Sequence, residues 1–428
     1  MSTFVDATSG AVEHCQAMSQ QYPDLAEQYY DKISSCCTQK LWHQLTLTVL
    51  ELVSQPNTTL RRTSDGGNSY LALYDKVVLS IDSKLNPLSL ARIASYVAVS
   101  LASAADSPND KDVSAAKAIL ENLLASKKDS LGISARIFVE AKLSMLTLTT
   151  IAAPVSDEKQ KQQLASIKSI IASNASSLKE MIHDPDTSES AIVHSAHYEM
   201  AMTYYKVLGP PESFYDQAMS YLNYAPILDR EKDADGSKTK YFHQLAVDLC
   251  LAALTGEGVY NLGQVVSTPV LAILEGTSEQ WLVDMLKSCS KGDVLEFQKL
   301  TQQHADAIAK QPALVHRATA VQEKLTLLAL VNYFFEKHSS ERTLTFQDIA
   351  ERLHTPVDQV EWVVMRALSL HLMEGSMDQV EQTVSVTWVL PRVLDTTQLQ
   401  ALASRFGEWA GKVSKTKDYM QEQTPTFA

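Results

Sequence analysis

Cysteine, glycine, proline and positive charge are all scarce in this chain of 428 residues. The five cysteines are Cys15, Cys36, Cys37, Cys250 and Cys289, and no two of them form a CxxC pair. So sparse and odd a set argues against a disulfide framework or a cysteine zinc cage and suits a reducing compartment. Fourteen Gly and fourteen Pro exclude collagen-like and Pro-rich fibres. Lys and Arg number 37 against 50 Asp and Glu, a formal net charge of −13. Phosphate backbones are bound mainly through clustered Lys and Arg, so nucleic acid is disfavoured as the primary partner. No apolar run approaches the roughly 18 residues that signal a membrane span. Met1 to Gly10 has neither the basic n-region nor the apolar h-region of a secretory signal. The expected address is the cytoplasm, with the nucleus open.

Apolar residues make up 45% of the chain and charged residues 20%, which is ordinary globular usage. At about 150 residues per domain the length predicts two to three domains. From about residue 10 to about residue 335 the apolar periodicity is helical. Polar or Pro-containing breaks fall at Ser54–Asn68, Ala104–Asp112, Ala153-Pro154, Asp184–Ser190, Gly209-Pro210-Pro211 and Leu228–Lys240. Ile192–Val207 and Tyr215–Tyr224 read as a helical hairpin turned by the Gly-Pro-Pro. Such hairpins stack into solenoids, although no strict repeat consensus is present.

The pattern changes near residue 340. Leu325–Glu336 predicts a helix with Leu327, Leu328, Val331, Phe334 and Phe335 on one face. Thr343–Thr345 is β-prone. Thr345 with Asp348 approximates a capping box for a short helix lined by Ile349, Ala350 and Leu353. Thr355 as N-cap, Pro356 at the first position and Asp358 in the first turn then open a helix to His371, with Gly375 following its end. Its stripe is Val360, Val363, Val364, Ala367, Leu368 and Leu372. Val384, Val386, Trp388 and Leu390 alternate as a strand after a turn at Asp378–Gln382. This order is that of a winged helix. The last helix, capped by Asp395 with Gln398 at the third position, places Leu399, Leu402, Phe406, Trp409, Val413 and Met420 on a heptad seam. The seam either folds back on its own chain or enters an intermolecular bundle; heptad spacing and terminal position favour the bundle.

Chemistry-bearing constellations are weak. Thr343–Arg392 holds three bases (Arg352, Arg366, Arg392) against seven acids, a net of −4, so the winged helix favours protein docking over DNA. Trp362 and Arg366 are its candidate partner-binding residues. His194 and His197 with Glu199 lack a third ligand at metal spacing, and packed or surface histidines are the preferred reading. Gly256, Gly258 and Gly263 do not follow a strand and read as a turn. Adjacent Cys36 and Cys37 read as small residues at a helix end or loop. No GxSxG, HExxH or GxxxxGK[ST] signature is present. No catalytic, cofactor-binding or metal residue is therefore assigned, and an enzyme is not expected.

A helical solenoid running into a winged helix resembles the PCI-domain family. Lys40–Leu47, Asn86–Leu90, Gly256–Leu271, Gln280–Leu286, Met365–Ser369, Glu374–Asp378 and Thr387–Asp395 are closer still to one of its branches. They resemble the ninth non-ATPase subunit family of the proteasome regulatory particle, numbered thirteenth in animals. The resemblance implies a mostly α chain: a right-handed α-solenoid of helical hairpins, a winged-helix (PCI) domain and a C-terminal helix. The implied division is a variable segment at 1–39, repeats at 40–200, a PCI domain at 201–395 with its winged helix at 341–395, and a bundle helix with tail at 396–428. It implies a non-catalytic scaffold in the proteasome lid, a hetero-oligomer with other PCI subunits, near a deubiquitinase pair and a ubiquitin receptor. A PCI subunit of the COP9 signalosome or of the translation initiation scaffold is the alternative.

Overall fold

Long Leu/Ala/Val-rich stretches between polar breaks dictate helices, and helices are what the chain forms. The computed structural model describes residues 3–54, 60, 68–102, 110–127, 130–151, 158–181, 187–225, 237–337, 342–391, 393 and 396–423. Most of the expected polar breaks lie outside the described residues. The helices Asp110–Ser126, Thr187–Leu208 and Ser237–Thr255 begin earlier than the breaks predict. Their first turns are rich in Asp, Ser, Thr and Glu, which favour helix starts as well as loops.

The chain divides into two compact units. The first comprises Met1–Gly209 with Asp216–Pro226. Its core runs from Ala11 to Tyr204. Pro87–Ala102 is buried on most sides, with Ala91, Ala94 and Ala98 fully covered. These small residues let it pack closely against Trp42–Ser54, Asp110–Ser126 and Gly132–Thr149. The predicted hairpin is present as Thr187–Leu208 and Pro211–Tyr224. Residue 200, where the sequence division falls, lies inside the first of these helices. Near the N-terminus, Thr3–Gln21 packs on Asp31–Gln39. That contact buries Cys15, Cys36 and Cys37, and burial pushes the Cys15 thiol up to about 12 and the Cys37 thiol to about 11.

The second unit comprises Pro210–Tyr215 and Ile227–Ala428. Its central element is the Ala318–Glu336 helix, which buries Val321, Leu325, Leu327, Leu328, Ala329, Leu330, Val331 and Phe334. The single face predicted from sequence is too narrow, and Phe335 is only half-buried. The helix is covered on several sides because Ser237–Thr255, Gln280–Lys291, Phe346–Leu353, Val357–Ser369 and the sheet all pack on it. Two polar residues are buried with it, Lys324 and Asn332. The Lys324 ammonium donates to the carbonyls of Ala253 at 2.5 Å and Gly256 at 3.0 Å. Arg317 donates to Thr255 O at 3.1 Å. Two cations thus satisfy carbonyls at a helix C-terminus, where intrahelical partners run out. Asn332 Nδ2 donates to Ser290 O at 3.0 Å, in the last turn of Gln280–Lys291. That helix ends at left-handed Gly292 (φ 68°), where an added Cβ would lie 2.7 Å from Ala329 Cα.

Gly292→Ala is expected to destabilise this unit by about 2 kcal/mol or more, since it adds left-handed strain and overpacking together; urea unfolding measures it. Burial lowers the Lys324 pKa to about 8, so the unfolded chain holds that proton more tightly. Stability therefore rises as pH climbs from about 8 towards the ordinary lysine value near 10.5. The gain should reach roughly 3 kcal/mol relative to Lys324→Met, in which other titrations cancel. A pH-independent difference between the two proteins would show that Lys324 keeps its proton across that range.

Candidate partner-binding surfaces

The winged helix is assembled from local signals. Its sheet has the order β1-β3-β2, with β1 at Thr343–Thr345, β2 at Met373–Asp378 and β3 at Thr383–Val389, all antiparallel. The predicted capping box forms: Asp348 N donates to Thr345 Oγ1 at 3.2 Å and Thr345 N donates to Asp348 Oδ2 at 3.4 Å. Phe346, Ile349, Ala350 and Leu353 point into the core.

Three local expectations are corrected. The second helix is Val357–Ser369, with Pro356, not Thr355, as its N-cap residue. Pro356 itself has extended backbone (ψ 144°), so the helix starts one residue later, and the buried Thr355 hydroxyl has no hydrogen-bond partner. Beyond the helix, left-handed His371 (φ 54°) turns the chain, while Gly375 lies within β2. Finally, Trp388 does not share the inward face of Val384 and Val386. The register shifts between Glu374 and Gly375, leaving Thr387 without an opposite residue on β2. This bulge inverts the alternation, so Val389 is buried and Trp388 is exposed. The wing turn is held by Asp378 Oδ1, which accepts from Val380 N at 2.9 Å and Glu381 N at 3.1 Å.

The outward face of Val357–Ser369 presents Trp362, 53% exposed, and Met365. The wing tip adds Val380, 91% exposed, and Gln379 Nε2 ties tip to helix by donating to Glu361 at 3.2 Å. Met365 and Val380 were not singled out from sequence; their signal was apolar residues at outward positions. Arg366 does not project alone. Its Nε meets Glu323 Oε1 at 2.9 Å, and Arg352 lies 3.8 Å from Glu336. Both described cations of the 343–391 stretch that come from arginine are thus matched by carboxylates, while Asp358, Glu374, Asp378 and Glu381 stay exposed. Arg392 lies outside the described residues.

A cleft of about 990 Å³ lies between this winged helix and the helices before it. Leu328, Val331, Leu372 and Leu390 line it, with Lys287, Lys291, Asp293 and Arg352. It also holds the chain's own exit segment: a Cβ on Gly263 would sit 3.1 Å from Val393 Cβ. Gly263 therefore serves close backbone packing. Gly256 and Gly258 sit in the turn after Ser237–Thr255, as the turn reading has it.

The predicted seam lies on the Thr396–Gln423 helix. Leu399, Leu402, Phe406, Trp409, Val413 and Met420 are all exposed, Phe406 by 62% and Trp409 by 65%. Residues 402–421 are exposed without exception, so the seam does not fold back on the described part of this chain. Asp395 lies outside the described residues, as does the side chain of Gln398.

The histidines are packed. His194 stacks on Tyr224 at 4.6 Å and His197 meets Tyr198 edge-on at 5.4 Å. Burial pushes His197 down to about 4 and lowers His194. Glu199 points instead to Lys142, at 2.7 Å. Among the described residues, no group of three or more His, Cys, Asp or Glu could hold a metal ion. No helix among them is long and apolar enough to cross a membrane.

Comparison with known proteins covers both units. The family of PSD13 N-terminal repeats matches residues 29–286, and the PCI domain matches 301–388. The chain is 30% identical to the 26S proteasome non-ATPase regulatory subunit 13 homolog A of Arabidopsis thaliana, over 97% of this chain and 98% of that one. It is 26% identical to the 26S proteasome regulatory subunit RPN9 of Saccharomyces cerevisiae, over 92% of each. A eukaryotic translation initiation factor 3 subunit M of Nematostella vectensis is 25% identical over only 41% of this chain and 44% of its own.

Because no described residue of 402–421 is buried, deleting 396–428 should leave the unfolding free energy unchanged within about 0.5 kcal/mol. Chemical denaturation of the truncated and full chains tests this, and a larger loss would reveal an intramolecular role for the helix.

Proposed function

The chain belongs to the family of the 26S proteasome non-ATPase regulatory subunit 13, and on that premise we propose that it is a non-catalytic scaffold subunit of the proteasome regulatory particle lid. The observation that carries this reading is the uncovered apolar seam of Thr396–Gln423. An exposed apolar patch of that extent marks an interaction site, and 3-4 spacing specifies helices as the partner.

In this reading the helical hairpins form a semi-rigid framework, the winged helix within 341–395 docks laterally through Trp362 and Arg366, and the terminal helix within 396–428 tethers the subunit to a helical bundle. Its partners are the other PCI subunits of the lid, with the deubiquitinase pair and a ubiquitin receptor in the same assembly. Its place of work is the cytoplasm and nucleus. Support comes from agreement of nearly the whole length with proteasome regulatory subunits. The translation-initiation alternative draws on no more than about half of the chain.

Phe406→Asp combined with Trp409→Asp is expected to leave the monomer folded, since both residues are exposed, and to lower incorporation into the lid at least about tenfold, the loss of two buried aromatic anchors. Native gels of reconstituted lid quantify it. Normal incorporation of the folded double variant would overturn the tether.

A further inference from the structure

The terminal helix distributes its charge unevenly around the seam. Among residues 402–421 the bases are Arg405, Lys412, Lys415 and Lys417 and the acids are Glu408 and Asp418. Four minus two gives +2 on a chain whose total is −13. With about 3.6 residues per turn, Arg405, Lys412 and Lys417 fall within about 90° of the seam's centre line, and Glu408 and Asp418 lie about 130° or more from it. In heptad terms Arg405 and Lys412 occupy successive positions on one flank, and Lys417 follows Ala403 and Ala410 on the other. No acid among residues 402–421 flanks the seam.

The geometry points to one kind of occupant: an amphipathic helix of a different chain whose own apolar seam is flanked by Asp or Glu. This rests on the tether reading and adds the chemistry of the partner to it. Flanking charges set partner choice in helical bundles because they meet across the interface beside the dry seam. A second copy of this chain fits badly in either orientation. A parallel pair would set Lys412 against Lys417 twice, and an antiparallel pair would set each basic flank against itself. The same charges that select an acidic partner therefore keep free copies apart, which prevents the exposed Phe406 and Trp409 from driving self-association before assembly.

The test uses the full chain and two synthetic amphipathic helices of 28 residues, the length of Thr396–Gln423. Both probes carry the same Leu and Ala seam; one has Glu at every flanking position and the other Lys. Fluorescence anisotropy at low salt should show the Glu probe binding at least about tenfold tighter, with the preference shrinking at about 1 M salt. Arg405→Glu, Lys412→Glu and Lys417→Glu together should invert the preference, and sedimentation should give a monomer. Equal binding of both probes, or a dimer dissolved by Phe406→Asp, would overturn the inference. Lid reconstitution separates it from the tether itself. If the charge-reversed triple variant incorporates normally while the Phe406→Asp/Trp409→Asp variant does not, the tether stands and the charge selection is wrong. If both incorporate normally, both fall.

Discussion

The second unit depends on burying one helix, Ala318–Glu336, on almost every side. A helix so enclosed can keep polar side chains only where a neighbour offers unsatisfied backbone groups. Lys324 and Asn332 obey that constraint by reaching the carbonyl ends of Ser237–Thr255 and Gln280–Lys291. One helix thereby closes the ends of two others. The loss of water around Lys324 outweighs the attraction of Cys289 and Glu212, which is why its proton is held less tightly than in a free lysine. Gly292 lets the second of these ends approach within contact of Ala329, where any side chain would collide with backbone.

The same helix carries the winged helix, through Leu330, Val331 and Phe334 in a shared core with Ile349, Val360 and Val364. The architecture is one that nucleic-acid binders use, yet its described surface lacks the unpaired arginines that phosphate binding needs. Arg352 and Arg366 are matched by Glu336 and Glu323. What remains outward is aromatic, aliphatic and acidic: Trp362, Met365, Val380, Asp358 and Glu381. Phosphate would meet repulsion there, whereas a protein surface can use both the apolar area and the acids.

In the proposed assembly, association completes the burial that folding leaves unfinished. Exposed apolar residues elsewhere, such as Ile133 and Trp362, lie on elements that also bury a core face, while the terminal helix leaves a whole seam to solvent. Apolar burial that would ordinarily stabilise a monomer is absent among the described residues of that helix. In the proposed tether, stability of the subunit and strength of attachment are separable properties, set by different residues.

Where the governing interactions are local, the sequence was legible. The capping box at Thr345, the hairpin at Gly209-Pro210-Pro211, the order of winged-helix elements and the heptad seam follow from neighbours within a turn or two. The seam's residues could be named in advance because 3-4 spacing is a property of one helix. Other features required the folded chain. The bulge that turns Trp388 outward depends on pairing with Glu374 across the wing. The pairing of Arg366 with Glu323 joins residues on two separate helices. The burial of Lys324 depends on where a helix some 70 residues earlier comes to its end, and the exposure of the seam on what the rest of the chain leaves uncovered. The sequence by itself determined the elements, their order and the kind of surface each offers, because propensity, capping and periodicity act over a few residues. Only the tertiary structure decided which charges are neutralised, which face a bulge presents and which apolar residues stay uncovered, because each is settled by partners brought together from distant parts of the chain.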